Sequence, residues 1–254
     1  MLIDSHCHIH DTEYNFDIES IIQNAKNNDV QKIICIGTNQ ADSINVTEFV
    51  NKYENIYASV GVHPHEVKNG WMDIEKLLEL NDSKIVAVGE IGLDYHYDHS
   101  PRDIQKKALK DQIELALKFN LPIIFHVREA FDDFWPIIDE YLSAGQQIRG
   151  VLHSFTDSPE NAEKAIERGL FIGINGYSTF AKDPGQKSVY KSYSIDKIIL
   201  ETDAPYLTPV PFRGKVNEPA FVKNIAEYLC EVRNISFNEI ATITTQNAEK
   251  LFNI

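Results

Sequence analysis

The chain has 254 residues, 43% of them hydrophobic, which is enough for a sizeable core and about the length of one (β/α)8 barrel. Its 24 basic and 38 acidic side chains give a net charge of −14, which argues against a protein that coats nucleic acid with a broad basic surface but leaves open a nuclease that grips one or two phosphates. No segment approaches the roughly 20 apolar residues of a membrane span, and no signal peptide is expected. Cys7, Cys35 and Cys230 lack zinc-knuckle spacing, so we expect reduced thiols and a cytoplasmic enzyme.

Short apolar, β-branched runs alternate with longer helical patterns along the chain. We predict strands at Met1–His6, Lys32–Gly37, Tyr57–Val62, Ile85–Glu90, Pro122–His126, Gly150–His153, Phe171–Ile174 and Lys197–Glu201. We predict helices at Ile18–Asn28, Ala41–Tyr53, Asp73–Leu80, Pro101–Phe119, Phe131–Ala144, Pro159–Arg168, Pro184–Tyr193, Glu218–Val232 and Phe237–Leu251. This alternation implies a parallel sheet with right-handed crossovers, either a closed barrel or a doubly wound sheet.

Local signals mark two of the helices. Apolar residues between Ala108 and Leu117 follow the i, i+3, i+4 spacing of one buried face. Ser100-Pro101 and Ser158-Pro159 each predict a capping serine followed by proline at the first helical position.

His6 and His8 stand at the end of the first predicted strand. Side chains alternate between the faces of a strand, so both imidazoles point to one side and Cys7 points to the other. Two imidazoles at this spacing can chelate one ion. A pair of exposed histidines is the alternative, and the pair by itself is a weak signal.

Four further strands finish on or near a side chain that can bind a metal: Glu90, His126, His153 and Asp203. A polar residue at the end of a buried run is costly unless it is paired. A structural polar residue with its hydrogen bonds satisfied is a good explanation for one such position. It is a poor explanation for polar residues at the ends of five strands. In a closed barrel the carboxyl ends of all strands meet at one mouth, whereas the outer strands of an open sheet lie too far apart to share an ion. The pattern favours a TIM-type (β/α)8 barrel, with residues 1–254 as a single domain.

The donor set indicates the chemistry. Four imidazoles and two carboxylates suit borderline ions such as Zn2+, Mn2+ or Fe2+, and six ligands exceed what one tetrahedral zinc uses. Two ions sharing a carboxylate would use all six and could clamp the attacking and leaving oxygens of a displacement. The sequence therefore predicts a hydrolase that uses a metal-activated water.

With these residues in place, the sequence resembles the TatD family of metal-dependent deoxyribonucleases, among the amidohydrolase-like barrels. The motifs that carry the resemblance are Asp4–His8, Gly61–Pro64, Gly89–Tyr95, Ile124–Ala130, His153–Phe155, Glu201–Leu207, Arg213–Pro219 and Asn247–Phe252. They cover essentially the whole chain in order.

The resemblance implies a role for each ligand and a reaction. Six side chains would hold two divalent ions: His6, His8 and Asp203 the first, His126 and His153 the second, and Glu90 as the bridge. Asp203 would take the proton of the attacking water, so Asp203 and Glu90 are the expected catalytic residues. The ions would be Zn2+, Mn2+ or Mg2+, and the sequence leaves this choice open. The implied reaction is hydrolysis of DNA phosphodiester bonds from the 3′ end. The alternatives are a phosphatase, lactonase or aminoacyl esterase on the same barrel, or a catalytically silent metal-binding protein.

His63 and Arg128 are the expected substrate contacts. The family pattern implies that His63 contacts a phosphate, with a structural histidine as the alternative. Arg128 could take a phosphate in bidentate fashion, with a salt bridge to Glu129 or Asp203 as the alternative. DNA is the expected substrate, no membrane partner is expected, and we expect a monomer.

Two further features bear on the substrate. The family pattern has a small Ser-Gly where this chain has Thr156-Asp157, in a loop that borders the expected site. The aromatic pairs Phe131/Trp135 and Tyr177/Phe180 could stack on bases, but core packing or loop anchoring is the favoured interpretation.

Overall fold

The computed structural model describes residues 1–97 and 99–254. In this part of the chain the strands are β1 (Leu2–Cys7), β2 (Val30–Ile36), β3 (Ile56–Val60), β4 (Ile85–Asp94), β5 (Ile123–Arg128), β6 (Gly150–Leu152), β7 (Phe171–Ile174) and β8 (Ile198–Leu200). The helices are α1 (Ile18–Asn27), α2 (Gln40–Val50), α3 (Asp73–Glu79), α4 (Arg102–Lys118), α5 (Phe131–Ser143), α6 (Pro159–Glu167), α7 (Pro184–Ser192), α8 (Val222–Arg233) and α9 (Phe237–Phe252). Every predicted element is confirmed, with shifts only at its ends. None of the helices described here is long and apolar enough to cross a bilayer.

The strands follow one another in the sheet in the order in which they occur in the chain. The neighbouring strands whose register is described run parallel. A doubly wound sheet would reverse its strand order at a switch point, and this sheet has no reversal. Sequential parallel strands alternating with helices define a TIM-type (β/α)8 barrel, so the predicted fold class is confirmed.

The chain divides into two compact units. The first unit comprises Met1–Cys35 and Ser154–Ile254, and the second comprises Ile36–His153. In the first unit β1 pairs with β2 and β7 with β8, while α9 packs against β1 and β8. Cys7 lies opposite Cys35 in the β1–β2 pair, with 3.8 Å between the two sulfurs, and both residues are buried.

In the second unit β4 pairs with β3 and with β5, and β5 pairs with β6. Every residue of β4 is buried, as is typical of a parallel strand covered on both faces. Its register against β5 shifts between Val88 and Ile91, so the strand is irregular around Glu90. Irregularities within a strand redirect side chains and are common beside functional sites. The strand then continues to Asp94, whereas we predicted that it ends at Glu90.

The two capping serines behave differently. Ser158 caps α6, and its side chain accepts a hydrogen bond from Asn161 N–H, as predicted. The predicted cap at Ser100 is wrong, because α4 begins one residue later and Pro101 is its N-cap. The Ser100 hydroxyl instead donates to the carbonyl of His65, 2.7 Å away, so this serine holds a loop in place.

Candidate functional site

The first unit brings together three of the predicted ligands, His6, His8 and Asp203, which we call the first cluster. The Nε2 atoms of the two histidines are 3.3 Å apart. They lie 3.7 and 3.6 Å from Oδ1 of Asp203. His6 lies within β1 and His8 directly after it, so the alternation of the strand places both rings on one side, as expected.

The backbone holds the first cluster in place. Asp203 N–H donates to the His6 carbonyl at 2.8 Å, and His8 N–H donates to the Ala204 carbonyl at 2.6 Å. Asp203 has a φ of 61°, in the left-handed region that aspartate and asparagine tolerate best among residues with a side chain. Asp203 can therefore leave the direction of β8 and still face the histidines of β1.

Behind the first cluster lies the buried carboxylate of Asp4, at the start of the Asp4–His8 motif. Its Oδ1 accepts a hydrogen bond from Thr202 N–H at 2.7 Å, and its Oδ2 accepts one from the Thr202 hydroxyl at 2.6 Å. The Thr202 hydroxyl oxygen in turn accepts from Ala204 N–H at 3.1 Å. This network fixes the turn that carries Asp203 against the start of β1.

The second unit contains the second cluster, which consists of Glu90, His126, His153 and His63. Oε1 of Glu90 is its centre, 2.7 Å from His126 Nδ1 and 3.5 Å from His153 Nε2. His63 Nε2 lies 3.8 Å from the same oxygen. Glu90 is only 4% exposed. A buried carboxylate surrounded by imidazoles is the arrangement expected of a metal site.

Sequence reasoning missed Asp94, which supports the second cluster. We interpreted it as a loop-shaping residue, and its Oδ1 does accept from the backbone of His96 and Tyr97. Its Oδ2, however, lies 3.0 Å from His126 Nε2 and 2.9 Å from His65 Nε2. A carboxylate on the far nitrogen of a ligating histidine orients the ring and increases its basicity. Burial acts to lower the pKa of His126, but the hydrogen bonds to Asp94 and Glu90 outweigh it and the pKa is raised.

Two buried glutamines on α4 hold the strand ends that carry this cluster. Gln105 accepts from Asp94 N–H and donates to the Asp94 carbonyl. Gln112 makes the same pair of bonds with Val62, the residue before His63. The two glutamines are seven residues apart on the buried face of α4. Polar amides at this spacing on an otherwise apolar helix face were the signal in the sequence that could have indicated these supporting contacts.

The first cluster fits a divalent ion, and in the second unit Glu90 lies within reach of several imidazoles. Nitrogen and oxygen ligands bind zinc at about 2.0–2.2 Å, so ligands that share one ion lie about 3–3.6 Å apart. The separations in the first cluster are 3.3–3.7 Å, close to this range, and Glu90 Oε1 lies 3.5 Å from His153 Nε2. The 2.7 Å contact between Glu90 and His126 is a direct hydrogen bond. Neutral imidazoles with carboxylates suit borderline divalent ions.

His63 is close enough to Glu90 and His126 to be considered a metal ligand itself. Its Nδ1, however, accepts a hydrogen bond from His65 N–H at 3.1 Å. Burial holds the pKa of His63 well below its usual value, so the ring is neutral. A neutral ring that accepts at Nδ1 carries its proton on Nε2, which makes Nε2 a donor and not a metal ligand. This tautomer agrees with the predicted contact to a phosphate.

Arg128 is the last residue of β5, and its side chain is exposed. Its guanidinium carbon lies 5.2 Å from the centre of the Tyr97 ring. Glu129, proposed as its salt-bridge partner, lies 2.6 Å from His96 instead. The predicted role of Arg128 in substrate binding therefore stays a prediction.

The other sequence features near the site have structural partners. Phe131 and Trp135 are buried and stack on each other, which supports packing over base contact. Asp157 accepts from Ser158 N–H and from the Asn161 side chain at the start of α6. The Thr156-Asp157 departure thus adds hydrogen bonds at a helix start.

Comparisons with known proteins identify the family of this chain. The family model described as TatD related DNase matches residues 3–253. The chain belongs to this family. The uncharacterized metal-dependent hydrolase YabD of Bacillus subtilis (strain 168) is 40% identical over 256 residues, covering 100% of both chains. The structure of YjjV, a TatD homologue from Escherichia coli K12, has a TM-score of 0.92 and 30% identity, covering 100% of this chain and 98% of its own.

A more distant relative has a more specific name. The deoxyribonuclease Tat-D of Schizosaccharomyces pombe (strain 972) is 32% identical over 275 residues, covering 92% of this chain and 87% of its own. The TatD-family protein described here is a metal-dependent hydrolase with side chains placed to hold metal ions.

Proposed function

We propose that this TatD-family protein is a two-metal deoxyribonuclease that hydrolyses phosphodiester bonds from the 3′ end of DNA. The observation that carries the proposal is the presence of two clusters, each with imidazoles around a carboxylate oxygen. The name of the Schizosaccharomyces pombe relative supports DNA as the substrate.

In this proposal each unit holds one ion. The first would be bound by His6, His8 and Asp203, and the second by Glu90, His126 and His153. A divalent ion, when bound, polarises a phosphoryl oxygen and lowers the pKa of water. The family resemblance also predicts that Glu90 bridges to the first ion, and this stays a prediction. The number and identity of the ions stay predictions as well.

The remaining chemistry belongs to side chains of this chain. The Asp203 carboxylate accepts the proton of the attacking water. The Nε2 proton of His63 donates a hydrogen bond to a phosphate oxygen, consistent with its tautomer. The exposed guanidinium of Arg128 takes a second phosphate oxygen. The single domain, the monomeric state and the cytoplasmic location stay predictions from the sequence.

The test is release of mononucleotides from 3′-end-labelled single-stranded DNA by the full-length protein, with and without EDTA. We expect release that EDTA abolishes and that Asp203→Asn abolishes as well. Asparagine is the matched variant because it tolerates the left-handed backbone at this position. Turnover of a small phosphate or carboxylate ester without nucleotide release would contradict the nuclease and favour another hydrolase. Stoichiometric metal without any turnover would contradict catalysis altogether.

A further inference from the structure

Two tyrosine rings lie exposed beside the first cluster. Tyr14 is 40% exposed and Tyr206 is 48% exposed. Tyr206 follows Asp203 by three residues, and the centre of its ring lies 6.3 Å from the centre of the His8 ring. Exposed aromatic surface at the rim of a candidate site is a mark of ligand contact.

Contacts within the first unit hold the two rings in a fixed arrangement, which we call the tyrosine wall. The Tyr14 hydroxyl donates to the Tyr206 hydroxyl at 3.0 Å, and the rings meet edge to face at 86°. Phe16 stacks on Tyr14, with 5.4 Å between ring centres. Because the rings are already ordered, a ligand that stacks on them loses little of its binding energy to ordering the protein.

The backbone of Tyr206 is fixed as well. Its N–H donates to the Asp203 carbonyl at 2.8 Å, and its own carbonyl accepts from the Asn217 side chain at 2.5 Å. The ring therefore keeps a constant position relative to Asp203 and the first cluster.

Charge indicates which part of a ligand the wall would take. The hydroxyls of Tyr14 and Tyr206 are hydrogen-bonded to each other, so the two side chains present uncharged aromatic surface. Neither side chain carries a positive charge that would bind a phosphate. A planar, uncharged base is suited to such a surface, whereas the phosphate of the same nucleotide belongs with the metal ligands.

We propose that Tyr14 and Tyr206 form a binding site for a nucleobase of the substrate, which stacks on the wall beside the phosphate at the first cluster. This inference rests on the proposed function and specifies the part of the substrate that the protein recognises. Stacking on an aromatic ring tolerates every base, because each base has a π face. The wall therefore contributes affinity without sequence preference.

The experiment measures binding with two fluorescein-labelled single-stranded DNA probes that resist hydrolysis through phosphorothioate linkages. One probe carries bases throughout, and the other carries abasic tetrahydrofuran units at its 3′ end. Fluorescence anisotropy with the metal-loaded full-length protein gives both affinities. We expect the probe with bases to bind about tenfold more tightly, which corresponds to about 1.4 kcal/mol.

Tyr206→Leu is expected to abolish this preference, and Tyr206→Trp is expected to retain it. Tyr14→Leu should reduce the preference too, and it provides a second variant should Tyr206→Leu fail to fold. The matched control is Tyr228→Leu, which removes a half-buried tyrosine of α8 and should leave the preference unchanged.

The outcomes separate this inference from the proposed function. Wild-type protein that binds both probes equally, or a full preference in folded Tyr206→Leu, would overturn the tyrosine wall even if the protein hydrolyses DNA. A base preference lost in Tyr206→Leu would support the wall. If such a protein released no nucleotides from unmodified DNA, the wall would stand and the proposed nuclease would be rejected.

Discussion

The two clusters are built in different ways. In the first, backbone hydrogen bonds join the segments that carry the ligands, from Asp203 to His6 and from His8 to Ala204. In the second, the aligning contact comes from the carboxylate of Asp94, which is hydrogen-bonded to Nε2 of His126, the ring nitrogen that faces away from Glu90. The first cluster thus depends on the pairing of β1 with the turn after β8. The second depends on buried side chains: Asp94 aligns His126, and two glutamines of α4 hold the backbone of the segments that carry the cluster.

This difference has a consequence for substitutions outside the ligands. A backbone hydrogen bond survives most changes of side chain, so the first cluster should tolerate changes in its surroundings. A histidine aligned by a single carboxylate loses its orientation when that carboxylate is replaced. Metal affinity at the second cluster should therefore be the more sensitive of the two.

The largest expected effect is that of Glu90→Gln. The histidines of the second cluster would lose the carboxylate charge on which they converge, so we expect loss of one ion per chain and a rate at least about 10³-fold lower. Metal content after dialysis and the initial rate of DNA hydrolysis are the measurements. Glu129→Gln is the control, since Glu129 is an exposed carboxylate paired with His96. Two tightly bound ions and a full rate in Glu90→Gln would refute the role of Glu90.

A smaller effect is expected from Asp94→Asn, which tests the comparison directly. We expect affinity for the second ion to fall about 10- to 100-fold, with little change at the first cluster. The variant should also shift the pH dependence. The bond to Asp94 raises the pKa of His126, and metal needs the neutral ring, so loading is lost as the pH falls through that raised pKa. Without the carboxylate charge this loss should move to lower pH.

Competition titration with a chromophoric chelator at several pH values measures both effects. Asp133→Asn is the control, because Asp133 is a partly exposed carboxylate that accepts from the Tyr95 hydroxyl. Unchanged affinity and an unchanged pH profile in Asp94→Asn would show that the two clusters do not differ in the way described.

The smallest effect on metal binding is expected from Thr202→Val, behind the first cluster. Removing the hydroxyl leaves the buried Oδ2 of Asp4 without this donor, so the free energy of unfolding should fall by about 1–3 kcal/mol. The backbone bonds of Asp203 and His8 remain, so metal affinity should change little. Urea denaturation and the same chelator titration measure the two quantities, and Thr202→Ser should resemble the wild type. A large loss of metal affinity with unchanged stability would contradict backbone control of the first cluster.

Much of the fold was predictable because its signals are local. Apolar runs and helical periodicity identified every strand and helix, and the order of elements favoured the barrel. The alternation of side chains along β1 correctly placed His6 and His8 on one side. Within β4, however, the register shift near Glu90 and the extension to Asp94 depend on the pairing with β5, which the β4 sequence does not specify.

By itself, the sequence determined the class of fold, the family and the candidate ligands, since each is marked by residue type and position relative to a strand. Only the tertiary structure decided which groups support them. Asp94 meets His65 and His126 from 29 and 32 residues away, and Tyr14 meets Tyr206 from 192 residues away. Such contacts depend on strand register and on the paths of the loops. The packing of the whole chain determines both, and no local sequence pattern encodes them.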